Sequence, residues 1–283
     1  MSAGLAEMAA GFAAIGATGR PVCVHSSLRS FGRLDGGPTA IVEAVLAGGG
    51  TLMVSTWSGG WYATPPPPGR SRPDNAEDDG SVPTRPAQHC WDPSSPYVHA
   101  DAVGALAATV VAHPDRRRGD HPLNSFTAVG PLAATLVAGQ APLDVYAPLR
   151  ALAAHDGLIL CMGTGLTSVT AIHLAEQRAG RQMFRRWALT RAGVVECEVG
   201  SCSRGFDRLA PMLEPLARRV TVDGSAWTAY PAGPLVARAA AALVADRGAA
   251  RCRYADCRRC AVMTGGVVVP SPALPPELTQ GAG

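Results

Sequence analysis

Three groups of residues in this sequence have types and spacings that could do chemistry. The first is Cys252-x4-Cys257-x2-Cys260, with Cys197 and Cys202 upstream of it. A Cys-x2-Cys pair is the usual half of a zinc site, and four thiolates close a tetrahedron without leaving an open position. Such a site is structural rather than catalytic. Cys202 is the leading fourth ligand and Cys197 the other choice, and Arg251, Arg253, Arg258 and Arg259 would offset the thiolate charge. The second group is His173 and Glu176, three apart and so on one helix face. They read either as a proton-transfer pair or as a core histidine with its satisfying partner. The third is His25-Ser26-Ser27-Leu28, at the end of an apolar run, with Gly163-Thr164-Gly165 through Thr170 repeating the arrangement. Hydroxyls and free N–H groups at strand ends can hold phosphate oxygens, or can simply satisfy their own turns. Asp120, His121, Pro122 and Ser125 make a compact polar turn, where a histidine is more often structural. Glu196 and Glu198 alternate with Val195, Cys197 and Val199, so both face one side of a strand.

The elements that must carry these groups alternate in type. Helices are expected over 4–16, 39–46, 100–112, 131–138, 148–154, 168–178, 206–216 and 234–245. Buried strands are expected over 21–26, 51–56 and 158–162, and a hairpin over 187–191 and 193–198. Pro38 near the first helical position and Gly48-Gly49-Gly50 after it frame a β-α-β unit, hence a parallel strand pair. Residues 59–96 form a long proline-rich loop with an acidic cluster at Asp74, Glu77, Asp78 and Asp79. The stretch 119–130 reads as turns, and 270–283 as a disordered tail. No internal repeat is visible.

Composition sets outer limits. A chain of 283 residues with 47% apolar residues and a net charge of +3 supports a sizeable core. There is no lysine, which excludes a Schiff-base or P-loop lysine. Aromatic residues make up only 5%, and charges of both signs are interspersed, so neither a stacking platform nor a basic stripe for nucleic acid is expected. No apolar run is long enough to span a membrane. The N-terminal segment carries Glu7 and lacks a basic n-region, so it reads as a helix rather than a signal peptide. The expected compartment is the cytoplasm, where eight cysteines stay reduced.

Six motifs occur in a telling order: His25 to Gly32, Gly36-Gly37, Gly50 to Leu52, Asp92 to Pro96, His121 to Gly130, and Gly163 to Glu176. In this order the chain resembles the aminoglycoside 3-N-acetyltransferase family, over roughly residues 5–245. The resemblance implies a single mixed α/β domain, a central sheet flanked by helices, of the antibiotic N-acetyltransferase type. It implies acetyl-CoA as cosubstrate and direct acetyl transfer to the 3-amino group of an aminoglycoside. On the matching motifs, His25, Ser26, Ser27, Leu28, Gly32, Thr164 and Thr170 are the expected coenzyme contacts. His173 is the family-matched active-site histidine, and Glu198 falls where members place an acidic residue that orients the amine. His121 joins them as a catalytic candidate, and Asp144, Glu176 and Glu196 are candidate substrate carboxylates. The chain departs from the pattern at Pro142–Pro148, which holds Asp144 where many members carry a histidine. It also carries Arg178, Arg181, Arg185, Arg186 and Arg191 after the Glu176 motif.

The expected organisation is therefore an acetyltransferase domain over 1–250 with a small Cys-rich zinc-binding appendix over 251–269. Partners are a small-molecule amine and coenzyme A, with no nucleic acid or membrane, and the chain is expected as monomer or homodimer. The competing readings are a biosynthetic N-acyltransferase for another small amine, a zinc-ribbon binding protein without catalysis, and an inactive acyl-CoA binder.

Overall fold

A computed structural model describes residues 4–68, 83–181 and 183–265. Its centre is built by three short apolar runs, β1 (Pro21–Ser26), β2 (Thr51–Ser55) and β6 (Leu158–Met162). Both faces of these strands are buried, as parallel strands between two helical layers must be. The period-2 alternation sorts their side chains. Val22, Val24, Leu52, Val54, Leu158, Leu160 and Met162 pack into one core, whereas Cys23, Met53, Ile159 and Cys161 pack into the other.

β1 pairs in parallel with β2 on one side and with β6 on the other. α2 (Pro38–Ala47) makes the crossover, with Pro38 at its first turn. The full sheet has seven strands in the order β4-β5-β2-β1-β6-β10-β9, and its outer strands are antiparallel. These are β4 (Arg117–Arg118) and β5 (Phe126–Val129) at one edge, and β9 (Arg218–Val222) and β10 (Ser225–Pro231) at the other. α1 (Leu5–Ala14), α2 and α3 (Ala100–Ala112) cover the first face. α4 (Ala133–Val137), α5 (Ala147–Ala154), α6 (Ala171–Arg178) and α8 (Ala232–Ala245) cover the second.

A second sheet, in the order β3-β7-β8, joins β3 (Ala63–Thr64) to the hairpin of β7 (Phe184–Thr190) and β8 (Gly193–Val199). Glu196 and Glu198 do share a face, and Arg185 reaches both. Arg191 pairs with Asp92 at 2.6 Å, which ties this hairpin to the loop. Arg118 donates to the carbonyls of Ser95 and Thr56 and lies over the Trp91 ring.

Four expectations need correction. The turn-rich stretch 119–130 contains β5, a strand of four residues. The helix expected over 206–216 is broken into two 3-10 turns around α7 (Ala210–Leu213), since Pro211 and Pro215 remove backbone donors. The helix expected from 168 starts later, at Ala171, after a 3-10 turn over Leu166–Ser168. The β9–β10 hairpin and α9 (Arg258–Gly265) were not expected. Asp74, Glu77, Asp78, Asp79 and the tail 270–283 lie outside the described residues. Among the described residues no helix is long and apolar enough to cross a membrane.

Candidate active site

α6 carries the central group. His173 Nδ1 lies 2.7 Å from Glu176 Oε2, and both side chains are buried. The other Glu176 oxygen accepts from Arg181 Nη1 at 2.9 Å, and Arg181 also caps the carbonyl of Arg247. A carboxylate facing an arginine has only lone pairs to offer, so His173 donates its Nδ1 proton, and in the neutral ring the lone pair lies on Nε2. The imidazole is fixed in plane by Tyr146, nearly parallel at 6.2 Å, and by the edge of Phe206 at 4.8 Å. Gly200 lies over it: a Cβ there would fall 2.6 Å from Tyr146 Oη and 3.0 Å from His173 Nε2. Only glycine leaves that nitrogen uncovered.

Two clefts meet beside this histidine. One, of about 240 Å³, lies at the C-terminal ends of the parallel strands, lined by His25, Ser26, Ser55, Thr164, Thr167 and Ser168, with α3 as a wall. The other, of about 340 Å³, is lined by His173, Tyr146, Asn124, Arg186, Gly200, Ser201 and Arg259, among others. Trp57 and Thr170 line both. The strand-end turns of the first cleft interlock tightly. Gly163 has φ +66°, and a Cβ there would strike the Ser30 hydroxyl at 2.1 Å. Ser30 Oγ in turn donates to the Ser27 carbonyl and meets Ser225 Oγ. Thr164 Oγ1 donates to the His25 carbonyl at 3.2 Å. Burial pushes the His25 imidazole down to about 4, so it is neutral. Among the described residues, His25 Nε2 and Trp57 Nε1 are buried polar atoms without a protein partner.

The remaining expected residues are spread differently. Ser27, Leu28 and Gly32 do not line the first cleft: Ser27 caps a 3-10 turn over Leu28–Ser30, and Leu28 packs on the apolar core. His121 is fully buried. Its Nε2 bonds the Glu198 carbonyl at 2.8 Å, and its Nδ1 accepts from the backbone of Leu123 and Asn124. Burial lowers its pKa to about 4. Both nitrogens are spent on backbone, so it positions the end of β8 and has none left to offer substrate. Glu198 accepts from Gln177 at 2.6 Å, with Arg185 3.4 Å from its other oxygen. Burial raises it to about 7, against the pull of Arg185. It stands one residue behind the cleft wall formed by Val199 and Gly200. Asp144 pairs with Arg150, and Glu196 with Arg185 at 3.8 Å; neither lines the cleft. Trp57, Tyr146, Gly200, Ser201 and Arg259 do line it and were missed by sequence reasoning. The only signal for them was their nearness in sequence to motif residues.

The cysteines converge. Sγ atoms of Cys202, Cys252, Cys257 and Cys260 all lie within 4.8 Å of one another. A tetrahedral zinc with Zn–S bonds of about 2.3 Å sets neighbouring sulfurs roughly 3.8 Å apart, so the set fits a thiophilic ion. The backbone N–H of Cys252 donates to Cys260 Sγ at 3.4 Å, the kind of support a thiolate ligand receives. Cys197 is elsewhere, buried in a separate apolar cluster with Tyr62, Trp91 and Ala188. The C-terminal segment packs on the rest of the fold, with Met263 joining the large core.

Comparison with known proteins fits this geometry. The family profile of aminoglycoside 3-N-acetyltransferases matches residues 23–243. Aminoglycoside N(3)-acetyltransferase III of Serratia marcescens is 35% identical over 167 residues, covering 55% of this chain and 56% of the relative. Aminoglycoside N(3)-acetyltransferase VIII of Streptomyces fradiae is 31% identical over 175 residues, covering 57% and 56%. The chain thus spans about half the length of the curated relatives it matches. The crystal structure of aminoglycoside acetyltransferase AAC(3)-IVa superposes with a TM-score of 0.74 at 25% identity, covering 93% of this chain and 97% of that one. AAC-VIa, solved bound to sisomicin, shares the fold with a TM-score of 0.69 at 24% identity, covering 87% and 98%. With its profile match running through the central sheet, the His173 helix and every cleft-lining residue but Arg259, this chain belongs to the aminoglycoside 3-N-acetyltransferase family.

Proposed function

We propose that this chain transfers the acetyl group of acetyl-CoA directly to an amine, the 3-amino group of an aminoglycoside, as a resistance enzyme of the cytoplasm. The observation that carries this is the junction of the two clefts at Trp57 and Thr170, with His173 Nε2 on the amine side of it. The first cleft has the hydroxyls and strand-end N–H groups that suit a coenzyme's polar arm, without a lysine. The second takes the amine. A protonated amine first releases a proton to reach its nucleophilic form. As its nitrogen attacks the thioester carbonyl, His173 Nε2 accepts the remaining ammonium proton. The imidazolium that forms is stabilised by Glu176, which Arg181 holds in place. The tetrahedral intermediate collapses, the C–S bond breaks, and the leaving thiolate takes its proton from the His173 imidazolium, which restores the neutral base. No cysteine lines either cleft among the described residues, in keeping with direct transfer.

Glu198 acts in this reading through position, by holding Gln177 and the end of β8 beside α6. The four thiols are assigned to a structural zinc, whose chemistry there is to cross-link β8's continuation to the C-terminal segment.

A second reading has its own observation. Among the described residues no carboxylate lines the amine cleft, whereas Arg186 and Arg259 do. That lining suits an amine of lower positive charge, as in a biosynthetic acylation. Thiol release from acetyl-CoA against aminoglycosides and simpler amines separates the two. Turnover that requires a free 3-amino group supports the first, and turnover of simple amines alone supports the second. Coenzyme binding with no turnover of any amine defeats both.

A further inference from the structure

Two residues of the amine cleft, Ser201 and Arg259, each immediately precede a cysteine of the four-thiol cluster, Cys202 and Cys260. They also touch each other: Ser201 Oγ donates to the Arg259 carbonyl at 3.4 Å. Besides the thiols, the segment that brings Arg259 to the cleft has few buried anchors. Between Arg251 and Arg259 Cys252 alone is buried; Arg251, Cys257 and Arg259 are half-buried and the rest are exposed. α9 has eight residues, and its fully buried apolar anchor beyond Cys260 is Met263. A helix of that length does not hold itself in water. The three buried thiols are therefore the main buried anchors that keep Arg259 in the lining it shares with His173.

We infer that the four-cysteine cluster is a metal-built wall of the amine cleft. A zinc ion on Cys202, Cys252, Cys257 and Cys260 clamps Ser201 and Arg259 into the lining, so metal loading sets recognition of the amine rather than of the coenzyme. The asymmetry follows from where the linings originate. The coenzyme cleft is made by β1, β2 with Trp57 after it, α3 and the turn between β6 and α6, and takes only Ser203 from the clamped region. The amine cleft takes Gly200, Ser201 and Arg259 from it. Gly200 is also the residue whose closeness to His173 keeps Nε2 open, so a loosened clamp disturbs the catalytic face as well. The inference rests on the acetyltransfer reading only for which substrate each cleft takes.

The test uses the full chain expressed with zinc, measured for metal content, then compared with chelator-stripped protein and with Cys257→Ser. Cys257 is the least buried of the four, so its loss disturbs packing least. A conservative variant, Cys257→His, keeps a zinc ligand. Backbone hydrogen exchange is followed at residues 199–203 and 252–264, and at 158–173 as a control. The expected result is one zinc per chain, lost in Cys257→Ser and kept in Cys257→His. Loss of zinc speeds exchange at 199–203 and leaves 158–173 protected. It also raises the amine KM about tenfold, with a much smaller change in the Kd of acetyl-CoA. Cobalt replacement should give the intense visible bands of a tetrahedral thiolate site. A chain purified without metal that takes up neither ion overturns the inference, as does unchanged exchange at 199–203 after stripping. A chain that shows the zinc-dependent exchange but turns over no amine upholds the wall and defeats the acetyltransfer reading.

Discussion

Gly200 and His173 approach so closely that the histidine's free nitrogen exists only because residue 200 has no side chain. A Cβ at Gly200 would lie 2.8 Å from His173 Cδ2 and 3.0 Å from Nε2, with Tyr146 Oη 2.6 Å away on the other side. The backbone of β8's continuation thus acts as a spacer for the imidazole, and His121 fixes that backbone by bonding the Glu198 carbonyl two residues earlier.

Gly200→Ala is accordingly expected to push the ring or the strand end aside by a fraction of an ångström. Misplacement by about 1 Å can cost about 100-fold in rate when the reacting groups must align, so a loss of up to that size is expected. Steady-state kinetics should show the loss in kcat/KM for the amine, and calorimetry should show acetyl-CoA binding as in the parent.

The dyad itself separates into chemistry and support. His173→Ala is expected to lower kcat by about 100- to 10,000-fold, the range for a lost general base. Glu176→Gln should lower kcat less but destabilise more. It leaves the buried Arg181 without its carboxylate, and breaking such a pair costs about 3–5 kcal/mol. Denaturant titration beside the kinetics tells these apart: a large stability loss in Glu176→Gln with a small one in His173→Ala.

Glu198 gives a pH signature. Its ordinary value of 4.5 is raised to about 7 in the folded chain, mainly by burial. Between those values the folded protein keeps a proton that the unfolded chain has released, so stability falls as pH rises through this window and levels off above it. Glu198→Gln removes that fall. The variant should match the parent near the low end of the window and exceed it above the high end, by up to about 3 kcal/mol. His25 and His121, both lowered to about 4, act oppositely and lose stability as pH drops from 6.5. They are common to both proteins, so the difference between variant and parent isolates Glu198. Chemical denaturation at several pH values measures it.

The cysteines divide cleanly. Cys202→Ser should abolish zinc retention, whereas Cys197→Ser should leave metal content unchanged, since Cys197 is packed among Tyr62, Trp91 and Ala188. The cost of Cys197→Ser should appear only in stability, at about 1–3 kcal/mol for a hydroxyl placed in an apolar cluster. Metal analysis and thermal melts of the two variants give the comparison.

How much of this was legible in one dimension follows from the range of the forces involved. Local pattern already fixes the central strands, because Val22–Val24, Leu52–Val54 and Leu158–Met162 are short apolar runs of the kind a doubly covered parallel sheet buries. It determined the His173–Glu176 pair, since spacing along one helix is local geometry. The motif order gave the family, and the Cys-x2-Cys spacing gave two of the four thiols as partners. Packing in three dimensions settled the rest. It chose Cys202 over Cys197, because alternation along β8 turns Cys197 into an apolar cluster and the chain beyond β8 brings Cys202 to the C-terminal segment. It bonded both ring nitrogens of His121 to backbone. It brought Trp57, Tyr146, Gly200 and Arg259 to one cleft from four distant parts of the chain. No period or spacing encodes such a meeting. It comes from how the helices and the small sheet pack on the seven strands, which is a sum of many weak long-range contacts.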